Sequence, residues 1–269
     1  MSKKDTNLLL LFLNIIGFVG TVVVNWLAIT LPLNNKTTAE LSDQYPNLFV
    51  PAGLTFSIWG LIYILLAVFV VYHLVATIRK DTEGLSSIKR IGLVFFISSI
   101  LNMVWIFAWH YEIVPLSLIV MLLLLGSLLA IYLRLGVGKS VAAKKEQYLV
   151  HLTFSVYLGW ITIATIANVT ALLVDINWNG FGLSEQFWTV AVIIVGIAIA
   201  ISVLISRRDV YYCLVVDWAL LGILIKRLSD STINAQSVII ITIVGLALIS
   251  IGIIVQVAKR KVYLNKALG

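Results

Sequence analysis

Residues 8–31 read LLLLFLNIIGFVGTVVVNWLAITL and follow the short polar start MSKKDTN. At ~1.5 Å rise per residue, a helix over this run crosses the ~30 Å hydrocarbon core of a bilayer. It holds no charged residue. It is too long for a signal-peptide core and lacks a small-residue cleavage site, so it is expected to stay as a first transmembrane helix. Similar apolar runs follow at 51–78, 91–110, 114–133, 149–174, 187–206, 210–226 and 237–258. The expected fold is therefore all-α, a polytopic transmembrane bundle of eight helices. The fifth run is long, and the seventh is short and carries Asp217.

Composition supports a lipid-facing chain. Of its 269 residues, 61% are hydrophobic and only 12% charged, with a mean hydropathy of +1.07. Soluble domains carry about a quarter charged residues, and a core of this size cannot hide so much apolar surface from water. The net charge of +7 fits a membrane surface rather than nucleic acid, because the basic residues flank the apolar runs. With the N-terminus inside, the inner segments hold Lys3, Lys4, Arg79, Lys80, Lys89, Arg90, Arg134, Lys139, Lys144 and Lys145. They go on to hold Arg207, Arg208, Lys259, Arg260, Lys261 and Lys266. Of the 19 basic residues, only Lys36, Lys226 and Arg227 are left outside. This bias places both termini in the cytoplasm; the expected location is a plasma membrane, taken as bacterial.

Two outer segments are polar: 32–50 (PLNNKTTAELSDQYPNLFV) and 175–186 (DINWNGFGLSEQ). Each is either a plain connector or the cover of a pocket mouth. The single Cys213 excludes an internal disulfide or a cysteine-based metal site and reads as a small hydrophobe. The sequence has no internal repeat, phosphate-binding glycine loop, metal-spaced histidine pair or nucleophile elbow, so no catalytic residue and no metal ligand is assigned.

Polar and aromatic residues inside the runs point to a site, because lipid-facing positions gain nothing from amides or carboxylates. Asn102, Trp105 and Trp109 share one helix face, as do Trp160, Ala164 and Asn168, and as do Phe56, Trp59 and Tyr63. Trp59, Trp105 and Trp160 lie too deep to be interfacial anchors. Two readings stand: helix packing around satisfied indole N–H groups, or an aromatic cavity for a flat apolar ligand oriented by Asn102 and Asn168. Asp217 is either a neutral or packed acid, with Tyr211 or Tyr212 as candidate partners, or a ligand or ion group. His110 lies at the outer mouth of the third helix as a further accessory candidate, while His73 and His151 fall near inner helix ends, where interface roles are expected.

These residues carry a family resemblance. Pro51-Ala-Gly-Leu-Thr-Phe-Ser-Ile-Trp59-Gly-Leu-Ile-Tyr63, Leu101-Asn102-Met-Val-Trp105 and Tyr157-Leu-Gly-Trp160-Ile-Thr-Ile-Ala164-Thr-Ile-Ala-Asn168 follow in order. Together they resemble the TspO/MBR family of tryptophan-rich sensory or translocator proteins. The resemblance implies a five-helix ligand-binding bundle over residues 1–175, with a three-helix extension over 176–269. It further implies a pocket open to the outer side, lined by Trp59, Asn102, Trp105, Trp160, Ala164 and Asn168 and capped by 32–50. Tyr63 and Trp109 extend the same faces. A porphyrin or other flat hydrophobic molecule is the implied ligand, with no required cofactor. A homodimer is implied unless the added helices replace the partner. The chain departs from the family in its single Pro51 followed by Ala52, in lacking a cholesterol-recognition segment over 169–177, and in its added helices. The resulting expectation is a sensory or regulatory ligand-binding membrane protein. The alternatives are a secondary transporter coupled through Asp217 and an enzyme degrading the bound ligand.

Overall fold

The structure, a computed structural model, describes residues 3–31, 33–140, 142–230, 235–259 and 261–263. Arg260 and Lys266, and the side chains of Lys3 and Lys4, lie outside the described set. Within it, every regular element is helical. The long helices are α1 (Lys3–Thr30), α3 (Ile58–Arg79), α5 (Val94–His110), α6 (Val114–Leu135), α8 (Leu152–Asp175), α9 (Glu185–Arg207), α10 (Val210–Ser229) and α11 (Gln236–Ala258). Shorter pieces are α2 (Thr38–Asp43), α4 (Thr82–Ile91) and α7 (Lys144–Glu146), the last joined to α8 through a π turn at Gln147–His151.

A long helix therefore lies over most of each of the eight apolar runs, with breaks at 51–57 and 92–93. Six of these helices are long and apolar enough to cross a membrane, or seven if α4 and α5, bent by 54°, count as one broken span. The run at 210–226 falls outside that set because α10 carries Asp217, Lys226 and Arg227. The bend before α5 was not expected. Asp81 caps α4 by accepting from the Glu83 N–H, and Gly92 ends it at φ 61°, a conformation that favours glycine. Residues 82–91 thus form a separate amphipathic helix that buries Ile88 and Ile91.

Helices α1, α3, α5, α6 and α8 pack on one another, while α9, α10 and α11 form a second group that meets the first chiefly where α10 lies on α8. Gly159 on α8 allows this approach, since a Cβ there would lie 3.0 Å from the Tyr212 carbonyl oxygen. With little hydrophobic drive between helices in lipid, close packing and buried hydrogen bonds hold such bundles together. Asp209 supplies several: it caps α10 through the Tyr212 N–H and accepts from Tyr132 Oη at 2.8 Å and Ser155 Oγ at 2.6 Å.

The end of the bundle near the termini is closed by a buried polar chain. Arg90 pairs with Glu146, Glu146 Oε1 lies 2.8 Å from His151 Nε2, and His151 Nδ1 lies 2.5 Å from Tyr263 Oη. The Tyr263 N–H donates to the Arg208 carbonyl at 3.2 Å. His151 is fully buried here rather than interfacial, because the π turn swings it inward between Glu146 and Tyr263. His73, likewise buried, meets Ser87 Oγ at 2.8 Å across the α3–α4 contact. Removing the hydroxyl in Tyr263→Phe leaves His151 Nδ1 buried without its partner, which costs ~1–3 kcal/mol. A lower melting temperature in detergent is expected, and an unchanged one would show that the tail is not held by this bond.

Candidate functional site

Toward the opposite end, four tryptophans from three helices meet. Trp59 of α3 is the hub: it stacks on Tyr63 (5.8 Å, 20°) and Trp105 (6.4 Å, 29°) and meets Tyr157 and Trp160 edge-on at 6.0 and 6.3 Å. Trp105 stacks in turn on Trp109 at 6.1 Å. These offset and edge-on arrangements are the favoured geometries of aromatic pairs.

The rings enclose a cavity of about 50 Å³. Its walls are Trp59 from α3, Trp105 and Trp109 from α5, and Trp160, Ile163, Ala164, Ala167 and Asn168 from α8. Thr38, Ser42, Phe49, Pro51 and Phe56 come from above, and Ala219 and Ile223 from α10. Asn168 is the polar group of the α8 wall, and its Oδ1 accepts from Ser117 Oγ at 3.2 Å. Trp109 Nε1 donates to the Thr38 carbonyl at 3.5 Å. Trp105 Nε1 and Trp160 Nε1 are buried with no partner among the described residues.

The roof is an ordered lid. Thr37 and Glu40 form a reciprocal capping box that starts α2. The Thr37 N–H and hydroxyl hold the Glu40 carboxyl below the usual carboxylate range. Lid and bundle are joined by Lys36–Glu112 and Lys226–Asp43 ion pairs, by Asn34 Nδ2 on the His110 carbonyl at 2.9 Å, and by the Leu48 N–H on Glu185 Oε1 at 2.7 Å. Residues 51–57, expected as the start of the second helix, instead form an extended entry and a 3-10 turn (Gly53–Ser57). Its Thr55 carbonyl accepts from Trp218 Nε1 at 2.9 Å, while the Ala52 N–H donates to the Gly222 carbonyl at 3.0 Å.

Of the residues selected from sequence, Trp59, Trp105, Trp109, Trp160, Ala164 and Asn168 line the cavity together. Tyr63 stands behind Trp59, one turn deeper. Asn102 is fully buried below the floor, where its Oδ1 accepts from Asn25 Nδ2 at 2.7 Å and its Nδ2 donates to Tyr157 Oη at 3.1 Å. His110 is buried rather than open at the mouth, because in the last turn of α5 its Nδ1 reaches the Ile106 carbonyl at 2.9 Å. Asp217 faces α11: its Oδ2 accepts from Ser250 Oγ at 2.9 Å, and its partner is thus neither Tyr211 nor Tyr212. Tyr212 Oη is occupied by Thr162. Sequence reading missed the α2 residues Thr38 and Ser42, whose capping box was the available signal. It also missed Ala219 and Ile223, for which an apolar helix offers none.

These features define an integral membrane protein built around an aromatic cluster that encloses a cavity beneath a polar lid. The family model described as TSPO-like protein matches residues 11–255, and the chain belongs to that family. No curated protein and no solved structure matches it. The family match continues through α9 and α10 and into α11, so it includes the helices that supply Ala219 and Ile223.

Asn102 bridges α1 and α8 without touching the cavity. Asn102→Ala therefore strands the Tyr157 hydroxyl, while Asn25 Nδ2 keeps the Thr21 carbonyl at 2.8 Å, and should lower thermal stability by ~1–3 kcal/mol for the one stranded buried group. Ligand affinity per folded molecule should change little. A large loss of affinity with unchanged melting would place Asn102 in direct ligand contact.

Proposed function

We propose that this chain is a membrane-embedded sensory or regulatory protein that binds a flat hydrophobic ligand, a porphyrin-like tetrapyrrole, in the tryptophan cavity. The carrying observation is the convergence of Trp59, Trp105, Trp109 and Trp160 on one cavity, with the Trp105 and Trp160 indole N–H groups unpaired among the described residues. A buried donor without a partner costs ~1–3 kcal/mol, which a ligand bearing carbonyl or carboxylate oxygens would recover. Aromatic walls with a few oriented polar groups are the usual chemistry of such sites.

The cavity of about 50 Å³ compares with ~300–1,000 Å³ for ligand pockets, so binding requires the lid to lift or the rings to turn. Asp217 is not among the residues lining this cavity, and that favours binding over transport coupled through its carboxyl. In detergent, protoporphyrin IX should quench tryptophan fluorescence saturably. Ala164→Phe, which places a ring in the cavity, should weaken the apparent affinity at least tenfold while the helical circular dichroism is kept. Quenching no greater than that of free tryptophan, or an unchanged Ala164→Phe titration, would remove this reading.

We further propose that all eight long helices span, with both termini inside and the lid outside. In α10 the charges Lys226 and Arg227 lie in its last turns beside the lid, which leaves Asp217 as the single charge in its interior. The positive-inside bias supports this orientation. In a Cys213→Ala background, a cysteine at position 36 should react with a membrane-impermeant maleimide in intact cells. A cysteine at position 261 should react only after permeabilisation; its labelling in intact cells would leave an odd number of spans.

A further inference from the structure

Two buried aspartates, Asp209 at the N-cap of α10 and Asp217 within it, differ in the partners they find. Asp209 accepts from Tyr132 Oη, Ser155 Oγ and the Tyr212 N–H. Asp217, only 8% exposed, has one hydrogen bond, between its Oδ2 and Ser250 Oγ of α11 at 2.9 Å. Its Oδ1 is buried with no partner, and no cation lies within 4 Å of the carboxyl among the described residues. A carboxylate enclosed in this way neutralises rather than stay ionised.

The elements packed on α10 offer no other charge. Residues 186–206 of α9, 237–258 of α11 and the turn Gly53–Ser57 contain no titratable side chain. On α8, Tyr157 accepts from Asn102, and Asp175 stands in the last position of the helix. On α10 itself, Cys213 Sγ donates to the Ala200 carbonyl at 3.3 Å and Tyr212 Oη to Thr162. Lys226 and Arg227 stand ~14 Å or more further along the axis.

A metal cation is equally ill-suited, because hard cations take several oxygen ligands. Beyond Ser250, the nearest side-chain oxygens on α11 belong to Gln256 and Thr242, ~9 and ~12 Å away along the axis. The helices are also tightly packed: a Cβ on Gly245 would lie 2.4 Å from Ile197 Cδ1, and one on Gly252 2.6 Å from Leu204 Cδ2. A proton needs no such room. Carried on Oδ2, it is donated to Ser250 Oγ and leaves Oδ1 as an uncharged carbonyl oxygen. The Ser250 hydroxyl can then turn to the carbonyl four residues back, as Thr242 Oγ1 does to Val238 at 2.6 Å.

We infer that Asp217 is a proton-binding site at the seam of α10 and α11, and that α11 stays packed on α10 while the proton is held. Loss of the proton leaves a bare carboxylate that draws water into the seam. The inference rests on α10 lying in the bilayer, as proposed above.

The test uses the full chain in nanodiscs. The infrared carbonyl band of a protonated carboxyl should be present at neutral pH and weaker by one group in Asp217→Asn, which keeps an oxygen for Ser250. Bands of equal strength would overturn the proton site. Dicyclohexylcarbodiimide should add at residue 217: the carboxyl oxygen bonds to the carbodiimide carbon, and the carboxyl proton passes to a carbodiimide nitrogen. The adduct, read by mass spectrometry, should fall at least tenfold at alkaline pH and with a water-soluble carbodiimide. Equal yields from the two reagents would overturn the bilayer position of α10 instead. Amide hydrogen exchange in α11, corrected for its intrinsic pH dependence, should rise at alkaline pH in the wild type and not in Asp217→Asn. An equal rise in both would overturn the coupling to α11.

Discussion

Within hydrocarbon, every backbone N–H and carbonyl must find a partner inside the protein, and at the irregular entry to α3 this chain finds such partners on another helix. Pro51 and the 3-10 turn Gly53–Ser57 provide no regular helical ladder, so α10 provides partners instead. The Gly222 carbonyl receives the Ala52 N–H, and the Trp218 indole caps the Thr55 carbonyl. The approach is close enough that a Cβ on Gly222 would lie 1.9 Å from Thr55 Oγ1. Bringing α10 this near sets Ala219 and Ile223 into the cavity wall. The C-terminal helices are thereby built into the site rather than appended to it.

A second polar contact sets the depth of the floor. Asn25, Asn102 and Tyr157 join α1, α5 and α8 in one buried chain, and Tyr157 meets Trp59 edge-on. Buried hydrogen bonds of this kind specify one arrangement because any slip of a helix would strand several donors at once. The rings above the chain inherit that register. Asn102 therefore ties α1, α5 and α8 together beneath the cavity without lining it.

Much of this was legible in the sequence because lipid imposes a simple code. Long apolar runs marked the helices, and the basic residues marked one end of the bundle. Tryptophans at helical spacing marked the faces that converge, so Trp59, Trp105, Trp109, Trp160, Ala164 and Asn168 were found together. Tyr63 and Asn102 share those faces but sit one turn too deep to line the cavity, a distinction that periodicity alone cannot make. Asp217 was visible as an acid inside a span, yet its partner Ser250 lies on the next helix, where no local pattern points. Helices α2 and α4 are short and polar enough to read as loops, although Thr37, Glu40 and Asp81 carried their capping signals.

The same energetics indicate which part of the site can yield to a ligand. The floor is a buried amide–phenol chain, and the α10 wall is locked by a glycine contact and two hydrogen bonds. By contrast the lid is a six-residue helix, far below the ~12–15 residues at which an isolated helix is even marginal. Two of its ties, Lys36–Glu112 and Lys226–Asp43, are partly exposed ion pairs, a type worth only ~0–1 kcal/mol each. A ligand too large for 50 Å³ therefore gains entry most cheaply by displacing residues 38–49, while α3, α5, α8 and α10 hold the tryptophans in place. Binding would then be read out as a change at the lid, on the side of the bundle opposite the Arg90–Glu146–His151–Tyr263 chain.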